Sequence, residues 1–565
     1  MKKLNLILWS LCFMAFQTIS AQTFTGIDVR PGTGDSDPQS LTAYNGKIFF
    51  SAAGDIVTTG RELWMSDGTQ AGTVLVKDIN PGVGNSDPKY LFVANGKLFF
   101  TATDGTHGTE LWVSDGTTAG TTLVSDIWAG AGSSSPFCFT SFNGKLYFTA
   151  NDSIHGYELW VSDGTPGGTS IVKDIFPGTS NSNPQGFALN PDGGILFTYN
   201  EFNGKLYFRA DDGTHGSELW STDGTTIGTA MVADILPGPG SSGAYFITPY
   251  NGSLIFGASD SVNGYELWVS DGTAGGTSLL KNINPNVNGS SVADNSGFML
   301  SGGKLFFTAT QDATGYELWS TDGTTSGTNL VKDILPGPGS ANAGLYGMTS
   351  YHGKLYFAAD DSVNGSQLWV SDGTASGTTL VKVLSSYTPY AANPIRFINY
   401  NSKLVFIADI DTTNGHQLWT SDGTSAGTHI ISPPIAPNPN PMGYGSGYIL
   451  FAEANNSLYM NANFNSKGDE LWVYSTPASG ITEASGDHMI SAYPNPFSTS
   501  VTLSGLMSSE HYTVQILDLS GREYYSTELS NISDASVSIP DLTTGVYLMR
   551  VAGQSSSQTF KLVKN

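Results

Sequence analysis

One dipeptide sets the frame for this 565-residue chain. Leu-Trp recurs with Trp at 64, 112, 160, 220, 268, 319, 369, 419 and 472, at spacings of 48, 48, 60, 48, 51, 50, 50 and 53 residues. Self-similarity at a steady period of this size marks a repeat architecture, in which each unit buries its apolar faces against its neighbours. Trp9 and Trp128 alone stand outside the series. A whole unit is clearest at 137–175, FCFTSFNGKLYFTANDSIHGYELWVSDGTPGGTSIVKDI. Asn143-Gly144 signals a two-residue hairpin. KLYFTA, YELWVS and TSIVKDI then follow between turn residues, so each unit predicts four short antiparallel strands. Links such as PGVGNS after Ile79 join one unit to the next.

Four strands in about 50 residues is the size of a β-propeller blade. The chain ends favour a ring over an open stack. DVRPGTGDSDP from Asp28 aligns with DINPGVGNSDP from Asp78, so the repeats begin with the fourth strand of a unit. The last unit, through Glu470-Leu471-Trp472, lacks a fourth strand of its own. Pairing the two removes two exposed sheet edges. The expected fold is therefore all-β: a large β-propeller of about nine four-stranded blades closed by the N-terminal strand, above the usual 4–8, with a small Ig-like β-sandwich after it.

Charge and the ends of the chain bound the function. There are 24 Lys and Arg against 48 Asp and Glu, a net charge of −24. A basic face for phosphate is missing, so nucleic acid is not an expected partner. Lys2 and Lys3 precede the apolar run Leu4 to Phe16, followed by small and polar residues to Ala21-Gln22. That is a secretory signal peptide over 1–21 with cleavage between Ala21 and Gln22, and too short for a membrane span. No other stretch reads as transmembrane. Removing it takes away Cys12 and leaves Cys138, so no disulfide within the chain is expected.

Residues 489–565 change texture. They hold no ELW or DGT and read as alternating strands. Pro494-Asn495-Pro496, Leu519-Ser520-Gly521-Arg522, Gly545-Val546-Tyr547 and the basic tail from Lys561 to Lys564 resemble the C-terminal sorting domain of type IX secretion cargo. The resemblance implies export by the type IX machinery, acting through this domain, to the outer-membrane surface or the extracellular space. The organisation expected is thus a signal peptide (1–21), a repeat propeller (22–480), a linker (481–488) and a sorting β-sandwich (489–565).

Within the repeats, DGTxxGT occurs eight times, first at Asp67 and last at Asp422. Asp accepting from a backbone N–H two residues on, with Gly in the left-handed region, makes a tight turn. A calcium loop would stack several carboxylates at alternate positions, and here there is one. Glu precedes Leu-Trp at 62, 110, 158, 218, 266, 317 and 470, but Gln367 and Gln417 replace it twice. A Gln keeps a hydrogen bond and not a charge, so the position reads as hydrogen bonding. ELW and DGT together resemble the ELWxxDGT repeat family of secreted bacterial proteins, over nearly all of 40–475. That resemblance implies fold and location and names no catalytic residue.

The loop between the second and third strands carries the variety. Asp104 with His107, Asp152 with His155, Asp212 with His215, Asp260 with Asn263, and Asp361 with Asn364 recur at one position. This set, with Trp128 in the link after the second unit, is the candidate ligand-binding face, suited to sugar hydroxyls or a cation; Asx turns and packing are the plainer reading of the same residues. No catalytic residue and no metal ligand set are assigned, three His on separate units having no need to converge. No cofactor is expected, calcium apart. The function expected is a secreted or surface-attached, non-enzymatic binding or adhesion propeller taking a glycan or a surface protein. The alternatives are a polysaccharide-active glycosidase or lyase, and a structural matrix protein. The longest irregularity in the repeats lies around Asn190 to Asn200.

Overall fold

The structure is a computed structural model. It describes residues 23–475 apart from short segments, chiefly 55–57, 190–194, most of 286–296, 386–391, 411–414, most of 434–450 and 465–467, together with the strands between 491 and 564. The expected signal peptide, its Ala21–Gln22 junction and the 481–488 linker lie outside the described residues. Contacts divide the chain into one unit, Thr23–Ser475, and a second that holds Thr476–Asn565.

Thr23–Ser475 is built of strands. Its described residues form nine four-stranded antiparallel sheets of the kind propellers are made from, plus one two-stranded hairpin, Phe187–Leu189 with Ile195–Phe197. In chain order, sheets 1 to 8 span 39–77, 89–125, 137–173, 200–233, 245–281, 299–332, 348–382 and 395–430. Sheet 9 takes 451–475 and adds Thr23–Ile27 as its fourth strand. The strands of each sheet are called a to d; in sheet 3 they are Phe137–Phe142, Lys145–Asn151, Tyr157–Ser162 and Ser170–Lys173. The a–b turn is the expected two-residue hairpin, with Asn143 at φ 48° and Gly144 at φ 71°, the backbone a type I′ turn requires.

Alternation along strand c explains the Leu-Trp pair. Successive side chains of a strand face opposite ways. Leu111 packs into the apolar cluster shared by sheets 2 and 3, and Trp112 into the one shared by sheets 1 and 2. One such cluster joins each consecutive pair of sheets from 1 to 9, and a ninth, with Ile27, Phe50, Tyr459 and Leu471, joins sheet 9 to sheet 1. The strand Thr23–Ile27 pairs antiparallel with Glu470–Ser475, Thr23 opposite Ser475 and Ile27 opposite Leu471.

Sheets are also tied at their edges. Lys77 at the end of strand d in sheet 1 donates to the Thr121 carbonyl of sheet 2 at 2.7 Å and sits 5.9 Å from the Trp112 ring centre. Lys173 and Lys332 repeat the arrangement with Thr229 and Trp220, and with Thr378 and Trp369. The strap unites a cation–π contact with a hydrogen bond.

In the second unit, strands Ser491–Tyr493, Ser500–Ser504 and Asp534–Ser538 form one antiparallel sheet. Glu523–Ser530, His511–Leu517, Gly545–Ala552 and Ser557–Lys564 form another. Val501, Leu503 and Val537 of the first share a buried core with Val514, Ile516, Met549 and Val551 of the second.

Candidate functional site

The Glu of ELW is a latch. Glu158 is fully buried. It accepts from the Ile175 N–H at 2.9 Å, the Ser182 N–H at 3.1 Å and the Ser182 hydroxyl at 2.6 Å, all in the link that leaves the same sheet. Glu62 does the same with Ile79 and Ser86. In sheet 9 the partners come from the other end of the repeats: Glu470 accepts from the Val29 N–H at 2.9 Å and the Ser36 hydroxyl at 2.7 Å. Burial pushes the carboxyls of Glu62, Glu158, Glu317 and Glu470 up to about 7, against the pull of these hydrogen bonds. Where Gln367 stands instead, its oxygen accepts from the Leu384 N–H and its amide donates to the Asn364 and Ser385 carbonyls. The latch needs hydrogen bonds and dispenses with charge.

DGTxxGT folds as a closed turn between strands c and d. Asp163 Oδ1 accepts from the Thr165 N–H at 2.9 Å and its hydroxyl at 2.7 Å; the Thr165 hydroxyl accepts in turn from the Gly168 N–H. Gly164 has φ 86°, and a Cβ there would lie 3.1 Å from the Phe99 ring of sheet 2. The motif therefore sets both the turn and its seat on the preceding sheet.

The candidate loops between strands b and c turn their polar groups inward. Asp104 Oδ1 accepts from the Thr106 and His107 N–H groups, and its Oδ2 lies 2.8 Å from His107 Nδ1. Asp152 with His155 and Asp212 with His215 repeat this at 2.7 and 2.8 Å. Asn263 and Asn364 replace the ring by donating Nδ2 to Asp260 and Asp361, each at 2.8 Å. His and Asn are thus two ways to meet one carboxylate. Burial works against the Asp104 charge, but hydrogen bonds from His107 and Thr106 outweigh it and hold the carboxyl below its usual range. The same bond raises the His107 pKa, with Asp126 adding to it from 4.0 Å. Trp128 is half-buried and folds over Gly132 of its own link, where any Cβ would strike the indole. Leu236 and Leu335 pack on Gly240 and Gly339 in the same way. Among the described residues no group of three or more His, Cys, Asp or Glu is placed to hold a metal ion.

A cavity of about 500 Å³ opens between sheets 4 and 5, at the strand ends that carry the b–c loops and links. Sequence reasoning missed it. Opposite the Leu of each ELW, strand b carries Ser51, Thr101, Thr149, Thr308, Ala358, Ile407 or Asn461, but Arg209 in sheet 4 and Gly257 in sheet 5. The Arg209 guanidinium lies 4.1 Å from the Tyr245 ring centre and 5.0 Å from that of Phe187, and donates to Gln185 Oε1 at 3.1 Å. Among the described residues it joins no ion pair. Gly257 makes room for a second tyrosine, since a Cβ there would lie 2.6 Å from Tyr265 Oη. Asn183, Asp211, Ser217, Ser241 and Ser259 complete a polar rim. Gln185 meets Arg209 through the bridge that begins strand a in other sheets, and the extra hairpin 187–197 enters where those sheets carry a one-residue bulge. That bulge is where the 60-residue spacing gains its length. The signal available in the sequence was the coincidence of that long spacing with an Arg and a Gly at positions otherwise held by medium-sized residues.

Cys138 is buried, and burial pushes its thiol up to about 12, so it is an inert packing residue. No described helix is long and apolar enough to cross a membrane.

Comparison with curated proteins gives no match. Solved structures similar to the chain include a puromycin hydrolase (15% identity, 67% of this chain and 59% of that one, TM-score 0.32). Others are a prolyl endopeptidase (9%, 76% and 55%, TM-score 0.39) and prolyl oligopeptidase B from Galerina marginata (10%, 70% and 56%, TM-score 0.33). The chain spans little more than half the length of each, and at these scores no reading of it rests on them. Residues 491–565 match the family model of the secretion system C-terminal sorting domain. Gly545 and Tyr547 of the sorting motif lie on the strand Gly545–Ala552, opposite Lys564 and Leu562, with Lys561 opposite Leu548; Pro494, Asn495, Pro496 and Gly521 fall inside the matched segment but outside the described residues. The C-terminal segment is therefore a type IX sorting domain, which meets the secretion machinery and sends the chain to the outer-membrane surface or the extracellular space.

Proposed function

We propose that residues 22–480 form a closed nine-bladed propeller that serves, once exported, as a non-enzymatic binding module, with its ligand seated between sheets 4 and 5. Residues 489–565, next in the sequence, are in this reading an Ig-like sorting sandwich. Closure is supported by the pairing of Thr23–Ile27 with Glu470–Ser475 and by Glu470 taking its latch partners from Val29 and Ser36. The observation that carries the functional reading is the cavity around Arg209. It breaks the repeat, lies within the ~300–1,000 Å³ of small-molecule sites, and joins an aromatic wall to a rim of hydroxyls and amides. Its lining has one carboxylate, Asp211, whereas glycoside hydrolysis ordinarily uses two flanking the bond. The Asp–His and Asp–Asn loops act as scaffold in this reading, each carboxylate being engaged within its own loop.

The test applies the full chain to a panel of immobilised polysaccharides, with and without calcium, and scores retention and new chain ends together. Retention without new ends, unchanged by calcium, is the expected result. New reducing or unsaturated ends would replace the reading with that of a polysaccharide-active enzyme. Calcium-driven self-assembly without retention would replace it with that of a matrix protein.

A further inference from the structure

The guanidinium of Arg209 is fixed in three ways. The Tyr245 ring lies 4.1 Å from it, that of Phe187 5.0 Å away, and Gln185 takes one donor from Nη2. The two rings lie to one side of the guanidinium, their centres 5.2 Å apart, and leave the N–H groups turned away from them as the usable donors. Those form the planar fork that matches a carboxylate by two parallel hydrogen bonds. In its structural use the same side chain finds that partner at home: Arg61 pairs with Asp37 at 3.0 Å. Arg209 is held as rigidly, lines an open cavity, and has no such pair among the described residues. The net charge of −24 opposes an anionic ligand only from nearby groups, because charges beyond about 8 Å are largely screened at physiological ionic strength.

The rest of the lining narrows the ligand. Ser217, Ser241, Ser259 and Asn183 supply short donors and acceptors, and Asp211 an acceptor, around an aromatic wall of Tyr245 and Tyr265 set edge to face at 6.2 Å. Many short polar groups beside an aromatic surface suit a polyhydroxylated ring with one apolar face.

We propose that this cavity is a subsite for a carboxylate-bearing sugar, with Arg209 gripping the carboxylate, Tyr265 meeting the ring and the Ser–Asn rim its hydroxyls. The assignment rests on the reading of the chain as a binding module and names its ligand class. Lys in place of Arg209 keeps the charge and loses the fork. Thr at 257 pushes Tyr265 out of the cavity and leaves Arg209 alone.

The experiment is calorimetric titration of the full chain with trigalacturonate, with its methyl ester, and with a short peptide bearing a free C-terminal carboxylate. Saturable binding of trigalacturonate is expected, at least tenfold weaker for the ester and the peptide, and weakened further by added salt. Arg209→Lys is expected to lose at least tenfold in affinity with an unchanged melting temperature, and Gly257→Thr to lose affinity for the acid while the chain stays folded. Equal binding of acid and ester, equal binding of the peptide, an unaltered Arg209→Lys, or no binding by any probe each overturns the proposal. Equal binding of acid and ester overturns the carboxylate assignment alone and leaves the binding-module reading standing. New chain ends from trigalacturonate in the same cell overturn that reading instead.

Discussion

Two neighbouring junctions use the same parts and finish differently. Between sheets 3 and 4, Thr149 is fully buried, donating to the Pro184 carbonyl and meeting Tyr199 Oη at 2.6 Å. The two sheets close over it. Between sheets 4 and 5, the register that holds Thr149 holds Arg209, the same register in sheet 5 has shrunk to Gly257, which makes room for Tyr265, and a cavity opens. Everything else repeats: Trp220 and Trp268 fill their interfaces alike, and Glu158 and Glu218 latch their links alike. A repeat scaffold therefore needs little change to gain a site. Two substitutions and one lengthened bulge suffice, because the latches and interfaces that hold each sheet are untouched by them.

The largest effects test whether the junctions do share one framework. Trp220→Ala and Trp268→Ala are each expected to cost about 3–5 kcal/mol, to within error of one another, read from chemical denaturation of the full chain. A markedly smaller loss at Trp268 would mean that the cavity has loosened its interface. Next comes the latch. Glu158→Leu leaves the buried Ile175 and Ser182 N–H groups without their acceptor, at a cost on the order of 3 kcal/mol, whereas Glu158→Gln is expected to cost far less, as Gln367 already serves in sheet 7. The pH dependence sharpens this. With folded-state values near 7 against an ordinary 4.5, these carboxyls favour folding fully below pH 4.5 and lose that contribution as pH rises through 7. The melting temperature is expected to fall across that window, with a shallower slope in Glu158→Gln.

Smaller effects separate site from scaffold. Arg209→Thr restores the commoner side chain and is expected to change stability by under about 1 kcal/mol while abolishing ligand retention. A loss of stability as large as that of Trp268→Ala would make Arg209 a structural residue. The smallest effect belongs to the b–c loops. His155→Asn swaps one partner of Asp152 for the form used in sheets 5 and 7, at under about 1 kcal/mol. The His155 pKa is raised by Asp152, so its contribution is complete below pH 6.5 and vanishes as pH rises through the raised value. Asp152, held low, keeps its share above pH 3.8 and loses it as pH falls through its lowered value. Melting curves at pH 5 and 9 should therefore differ more in the parent chain than in His155→Asn.

Much of this was legible in the sequence, and the limits have a physical cause. The Leu-Trp period reports burial on both faces of strand c, so it located every one of the nine sheets. Asn143-Gly144 and DGT encode backbone angles, and local encoding survives translation into structure. The alternation of His107 with Asn263, and of Glu158 with Gln367, showed that hydrogen bonding and not charge was at stake. The cavity was illegible because it is a relation between sheets. Arg209 gains its meaning from Tyr245 and Gly257, some 36 and 48 residues on, and neither spacing nor composition says that they meet. The Lys77 and Lys173 straps were hidden for the same reason.

The fourth strand of sheet 9 has a further consequence. Because Thr23–Ile27 is held by Glu470–Ser475, both ends of the repeat unit are tied into one sheet. Exposed loop tips are where proteases cut, and an exported protein meets them. A single cut in the link after Ile235 leaves fragments that still share the interface of sheets 4 and 5 and the hydrogen bonds of sheet 9. The nicked molecule keeps its outline, and its halves part only when a second cut falls elsewhere. Trimming that reaches either end of the repeat unit meets a paired strand.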